Sequence, residues 1–204
     1  MTAATETARG PGRPSSGARE RLLDAATETL LAEGYAGLSY AKVAVRAGEN
    51  KSMISYYFGS KQGVVASVAD LVGEWITAGV LEQIRDAKTV AGLVEGLVAS
   101  VWEMMDDDPR LARLYFDLSA VSVVEADVRS ALVEVKGRWR EVLGQYLARF
   151  GVPATQLDPA STYLLAGVEG LAIERLERDE PARLEAARGL FVEASSRIIS
   201  GLSE

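Results

Sequence analysis

Residues 38–61 read LSYAKVAVRAGENKSMISYYFGSK, and their spacing predicts two short helices joined by a sharp turn. Ser39 can cap the first helix, because its side-chain oxygen accepts from a backbone N–H that the first helical turn leaves unpaired. Val43 and Ala47, four residues apart, form the buried stripe of that helix. Ala44 is small where a second helix has to come close. Gly48 supplies the turn, since glycine takes the left-handed conformation at little cost. Asn50 can cap the second helix, which presents Ile54 and either Tyr57 or Phe58 inward. Together these are the parts of a helix-turn-helix.

An ordinary helical hairpin would explain the apolar spacing equally well. It does not explain Lys51, Ser52, Ser55 and Tyr56, which fall together on the outward face of the second helix. All four can hydrogen-bond and none is needed for packing. In a helix-turn-helix this second helix lies in the major groove of DNA, so that face is the candidate reading surface. Lys61 opens the next helix, where it can meet a phosphate.

Bulk composition narrows the alternatives. The 204 residues are 48% hydrophobic and 25% charged, ordinary for a chain with a real core. There is no cysteine and no histidine. Thiolate nucleophiles, Cys-ligated zinc and every histidine-dependent triad are therefore excluded. A catalytic site is not expected, nor a cofactor or metal; an enzyme using Glu103, Asp117 or Glu169 is the alternative from another class, and a protein-interaction module built on the helical hairpin is a third. Asp106 to Asp108 read as an acidic loop at a helix end. Asp70 and Glu74 interrupt one apolar region and Glu95 and Glu103 another, so neither offers the roughly 20 uninterrupted apolar residues of a membrane span. A cytoplasmic protein with no membrane partner is the expectation.

The net charge of −7 runs against a nucleic-acid partner, but its distribution does not. Residues 1–62 carry eight Lys/Arg against six acids, a balance of +2, which leaves −9 for the remainder. Phosphate attraction is screened over about 8 Å at physiological salt, so a basic head can act locally on an acidic body.

Along the chain, residues 1–17 read as a flexible arm rich in Gly, Pro and Ser. Within it, Arg9-Gly10-Pro11-Gly12-Arg13-Pro14 resembles the Gly-Arg-Pro core of a minor-groove AT-hook, or is simply a solvated tail. A helix follows from Ala18, stopped by Gly34. Further helices run from Ser60 as cap to about Ala78 or beyond, Thr89 to Met105, Arg110 to Val121, and Ala126 to Phe150. The last two run from Asp158-Pro159 to about Arg178 and from Pro181 to near Gly201. No alternating strand pattern interrupts them. The fold class is all-α, with residues 18–63 as a three-helix head and 64–204 as a larger helical domain.

The stretch RLLDAATETLLAEGYAGLSYAKVAVRAGENKSMISYYFGSKQGVV resembles the DNA-binding domain of the TetR (tetracycline repressor-like) family. Arg21-Leu22-Leu23 with Ala25-Ala26 matches the first helix, Gly34-Tyr35 with Ser39 the entry to the second. Val43-Ala44, Ala47-Gly48, Ile54, Tyr57-Phe58 and Ser60-Lys61 match the remainder. Two positions depart from the pattern. Glu49 stands where an apolar residue is usual, either as a solvated turn residue or as a charge that repels phosphate. Ser55 replaces a tyrosine. The resemblance implies that Ser39, Tyr57 and Lys61 hold backbone phosphates, while Lys51, Ser52, Ser55 and Tyr56 face the bases.

For the larger domain the resemblance implies a small-molecule pocket and a homodimer through the last two helices. Trp75, Trp102, Met105, Tyr115, Phe116 and Trp139 are the pocket candidates, with Glu169 as a polar group that would favour a cationic or hydroxylated ligand. Tyr163 to Ile173 is apolar nearly all round, and Leu190, Phe191, Ala194 and Ile198 form a matching stripe. These helices either pair with a second copy or complete the monomer core. The expected function is a repressor that binds a two-fold DNA operator and is released by a small-molecule effector. An activator or a ligand-independent regulator of the same fold is the alternative.

Overall fold

The computed structural model describes residues 17–177 and 180–203. Among these residues the backbone forms nine α-helices and one short 3-10 turn, with no strand, as the all-α reading requires. The arm, with Arg9 and Arg13, lies outside the described residues except for Gly17.

The head contains α1 (Ala18–Gly37), α2 (Tyr40–Ala47) and α3 (Lys51–Phe58). Leu22, Ala25, Ala26 and Leu30 form the buried stripe of α1. Gly34 breaks α1 with φ +67°, after which one further turn reaches Gly37. The break leaves the Tyr35 N–H without a helical partner, and it donates to Asp117 Oδ2 at 2.7 Å. A Cβ at Gly34 would lie 3.1 Å from that oxygen. Dihedral and close approach both demand glycine here.

The caps follow the sequence. Ser39 Oγ accepts from Lys42 N at 3.3 Å, Asn50 Oδ1 from Ser52 N at 2.9 Å, and Ser60 Oγ from Gly63 N at 3.0 Å. Gly48 ends α2 with φ +65°, and the Glu49 N–H closes back on Ala44 O at 3.0 Å. This is the αL termination that glycine makes inexpensive.

The remaining helices are α4 (Lys61–Ile84), α5 (Val90–Asp107), α6 (Pro109–Ser122), α7 (Ala126–Arg149), α8 (Leu157–Glu177) and α9 (Pro181–Gly201). One start signal misleads. Asp158 does not cap α8, which begins at Leu157 as a continuation of the turn Ala154–Gln156. Asp158 instead sits in the first turn, where a carboxylate suits the helix dipole, and meets Arg140 Nε at 3.4 Å.

Two large apolar clusters hold the helices together. The first unites Leu22, Val43, Ile54 and Val68 with Leu118, Val128 and Leu132, so it joins the head to α6 and the start of α7. The second gathers Ile84, Leu93, Leu143, Leu164 and Ile199 at the far end. Helix α4 touches both and crosses α7 closely at Gly73, where a Cβ would come 2.6 Å from Val135. By length and mean hydropathy (1.6) α4 is apolar enough to cross a membrane. Here its apolar side packs on α1, α5 and α7, and Asp70 on its other side pairs with Arg138 at 3.0 Å.

Candidate functional site

Helix α3 turns only Ile54 fully inward. Lys51, Ser52, Ser55 and Tyr56 are all exposed, Tyr56 at 69%. They share one face because successive α-helical residues step by about 100° and positions three and four apart realign. Ser52 is partly engaged, since its hydroxyl donates to Asn50 Oδ1 at 2.9 Å. Ser39 is exposed at the start of α2. Tyr57 is half-buried, edge-on to Tyr56 and Phe58 with ring centroids 5.0 and 6.4 Å apart. Lys61 is half-buried too, donating to Tyr35 O at 3.1 Å with its ammonium 4.3 Å from the Tyr35 ring centre.

Two features of this face were not read from the sequence. Val45 is 83% exposed on α2 beside Arg46, an apolar group with no neighbour to cover it. Glu49 is not a solvated turn residue: its carboxylate pairs with the Arg21 guanidinium of α1.

Between α4, α5, α6, α7 and α8 lies a partly open cavity of about 80 Å³. Tyr115, Phe116, Trp139 and Glu169 line it. Trp75, Trp102 and Met105 do not. Trp75 is 46% exposed and lines a smaller neighbouring pocket, because Ile76, Thr77 and Val80 are the residues of α4 whose helical phase points into the cavity. Trp102 packs in the second cluster under Arg175, whose guanidinium is 5.0 Å from the ring centre. Met105 is buried with Ala112 and Ala172, and its neighbour Met104 lines the cavity instead. Side-chain size suggested these three. Helical phase decided otherwise.

The polar groups of the cavity form two closed networks. Trp139 Nε1 donates to Thr77 Oγ1 at 2.8 Å, and Thr77 donates to Gly73 O at 2.6 Å. Tyr115 Oη donates to Glu169 Oε1 at 2.5 Å, and Lys136 Nζ lies 3.0 Å from each Glu169 oxygen. Burial, reinforced by the Glu169 charge, pushes the Tyr115 phenol well above its usual pKa, so it remains a donor. The three carboxylates considered for catalysis are dispersed. Glu103 is exposed and accepts from Gln83, Asp117 holds the α1 break, and Glu169 alone faces the cavity. No cluster of acidic residues suited to a metal occurs among the described residues.

Helices α8 and α9 leave one apolar face open. Tyr163, Ala166, Gly170 and Ile173 are exposed on α8, and Leu190, Ala194 and Ile198 on α9. Gly167 and Phe191 face each other within the chain, where a Cβ at Gly167 would overlap the Phe191 ring.

Residues 22–68 match the sequence family described as bacterial regulatory proteins, tetR family. Over these residues the chain is similar to that family. The whole chain has the fold of solved transcriptional regulators. One from Streptomyces coelicolor A3(2) is 24% identical, with a TM-score of 0.74 over 90% of this chain and 99% of its own. The multidrug binding protein EbrR, solved with imidazole, is 22% identical with a TM-score of 0.72, covering 92% and 96%. FadR from Bacillus subtilis, solved with stearoyl-CoA, is 18% identical with a TM-score of 0.69, covering 87% and 97%. A comparison with curated proteins gave no match. The TetR match thus spans α1 to α3 and the opening of α4, the segment that carries the exposed polar face.

Proposed function

We propose that this chain is a cytoplasmic transcriptional repressor that binds a two-fold DNA operator as a homodimer and is released by a small molecule held in the α4–α8 cavity. Residues 18–63 act as the DNA-reading head, and 64–204 carry ligand binding and dimerisation. Lys51, Ser52, Ser55 and Tyr56 contact the groove; Ser39, Tyr57 and Lys61 hold the backbone. The chain has no catalytic role in this reading.

The observation that carries it is the placement of α6. Tyr115 and Phe116 line the cavity, and the next residue, Asp117, accepts the Tyr35 N–H of the head. A cavity of about 80 Å³ is far below the roughly 300–1,000 Å³ of drug-sized sites. A ligand of that size must displace walls, and α6 is one of them. Any ligand that favours the displaced arrangement weakens DNA binding by its differential affinity for the two arrangements. A hundredfold release requires about 2.7 kcal/mol of such preference.

Shift and footprinting assays with the DNA flanking the protein's own gene test the reading. Two-fold-symmetric protection that small molecules relieve supports it. No sequence-specific protection on any flanking DNA would sink it.

A further inference from the structure

We infer that the effector is an uncharged, lipophilic, predominantly aromatic or hydrocarbon molecule, and that Lys136 is the residue that keeps cations out. This inference rests on the ligand-responsive reading above and specifies the chemistry of its site.

Only four cavity-lining residues carry side-chain polar atoms: Thr77, Tyr115, Trp139 and Glu169. Every donor among them is already engaged. The indole N–H is on Thr77, the Thr77 hydroxyl on Gly73 O, and the phenol on Glu169. An anion entering the cavity would lose its hydration and find no donor to replace it, a cost of several kcal/mol for a charged group. Glu169 would otherwise attract a cation. Lys136, which does not line the cavity, neutralises it from outside at 3.0 Å. The rest of the wall is Ile, Val, Leu, Ala and Met side chains with the Phe116 ring. Such a wall rewards apolar area at roughly 25 cal/mol per Å² and offers nothing to charge. The simple expectation from Glu169, a cationic ligand, is reversed by its partner.

The test uses three naphthalene probes of different charge: neutral phenylnaphthylamine, anionic anilinonaphthalene sulfonate and cationic naphthylmethylammonium. Fluorescence titrations are run on the full-length protein, on Lys136→Gln, and on Leu165→Trp, which fills the cavity from α8. The expected result is that the neutral dye binds at least about tenfold more tightly than either ion. Leu165→Trp should abolish that binding. Lys136→Gln should raise affinity for the cation by at least about tenfold, since it removes the charge that neutralises the Glu169 carboxylate. If the cation or the anion binds the unmodified protein as well as the neutral dye does, and Leu165→Trp abolishes it, the inference is overturned while a ligand cavity stands. An unchanged cation affinity in Lys136→Gln, with circular dichroism confirming the fold, also overturns the role of Lys136. If no dye responds to Leu165→Trp, the cavity takes no ligand and the reading beneath the inference falls with it.

Discussion

Glu49 puts a negative charge at the turn between α2 and α3, yet Arg21 meets it from α1. The pair is partly exposed, so it contributes no more than about 0–1 kcal/mol to stability. Its larger effect is on charge. Glu49→Gln removes a negative charge beside the exposed polar face and should strengthen binding to all duplexes alike, most at low salt. Titrations at several salt concentrations, with operator and unrelated DNA, read this; a changed sequence preference would contradict it. Lys61→Ala should do the reverse and lower the slope by about one. Its ammonium uses one donor on Tyr35 O, leaving others for a phosphate. The packing residues and caps of the head were legible because a cap depends on neighbours three or fewer residues away. The partner of Glu49 was not, because Arg21 is 28 residues distant in sequence and meets it only through the way α1 crosses the turn.

Helix α6 carries the contact through which, on the proposed mechanism, the cavity would communicate with the head. Asp117→Ala would remove the acceptor of the Tyr35 N–H, at a cost of about 1.5–3 kcal/mol for a hydrogen bond to a charged group. The expected phenotype is a protein that still binds its operator but whose affinity responds less to ligand; Asp117→Asn, which retains an acceptor oxygen, should restore much of the response. Parallel denaturation and DNA titrations with and without ligand separate the two effects. The same helix is held at its start by Asp108, whose side chain accepts from Arg110 N at 3.0 Å. The Arg110 guanidinium holds that carboxyl below its usual pKa. Its stabilisation is therefore complete above the ordinary carboxylate pKa and lost as pH falls through the lower folded value. Asp108→Ala should cost about 1 kcal/mol at neutral pH, with the gap closing in strong acid on pH-dependent denaturation. The sequence located α6 to within a residue or so at each end. It placed Asp117 among candidates for chemistry, because the 82 residues separating it from Tyr35 hid its structural partner.

At the scale of the whole molecule, the open face of α8 and α9 is where the proposed homodimer would pair. Leu190→Glu with Ile198→Glu places charge at the two most exposed apolar positions of α9 without touching Gly167 or Phe191. Light scattering should then report a monomer, circular dichroism an unchanged helical content, and footprinting the loss of two-fold protection. Dimer retention would show that another surface pairs the protomers. Apolar residues all round α8 told of burial on several sides, but not which side is covered by its own chain. That required the position of Phe191. The first apolar cluster has a practical consequence for protein engineering. Leu22, Val43 and Ile54 share their core with Val64 and Val68 of α4 and with Leu118, Val128 and Leu132, so a graft cut at residue 63 would strip the transplanted part of much of its inner wall. Moving the head onto another scaffold calls for a chimaera that also carries the first turns of α4, the whole of α6 and the first turns of α7.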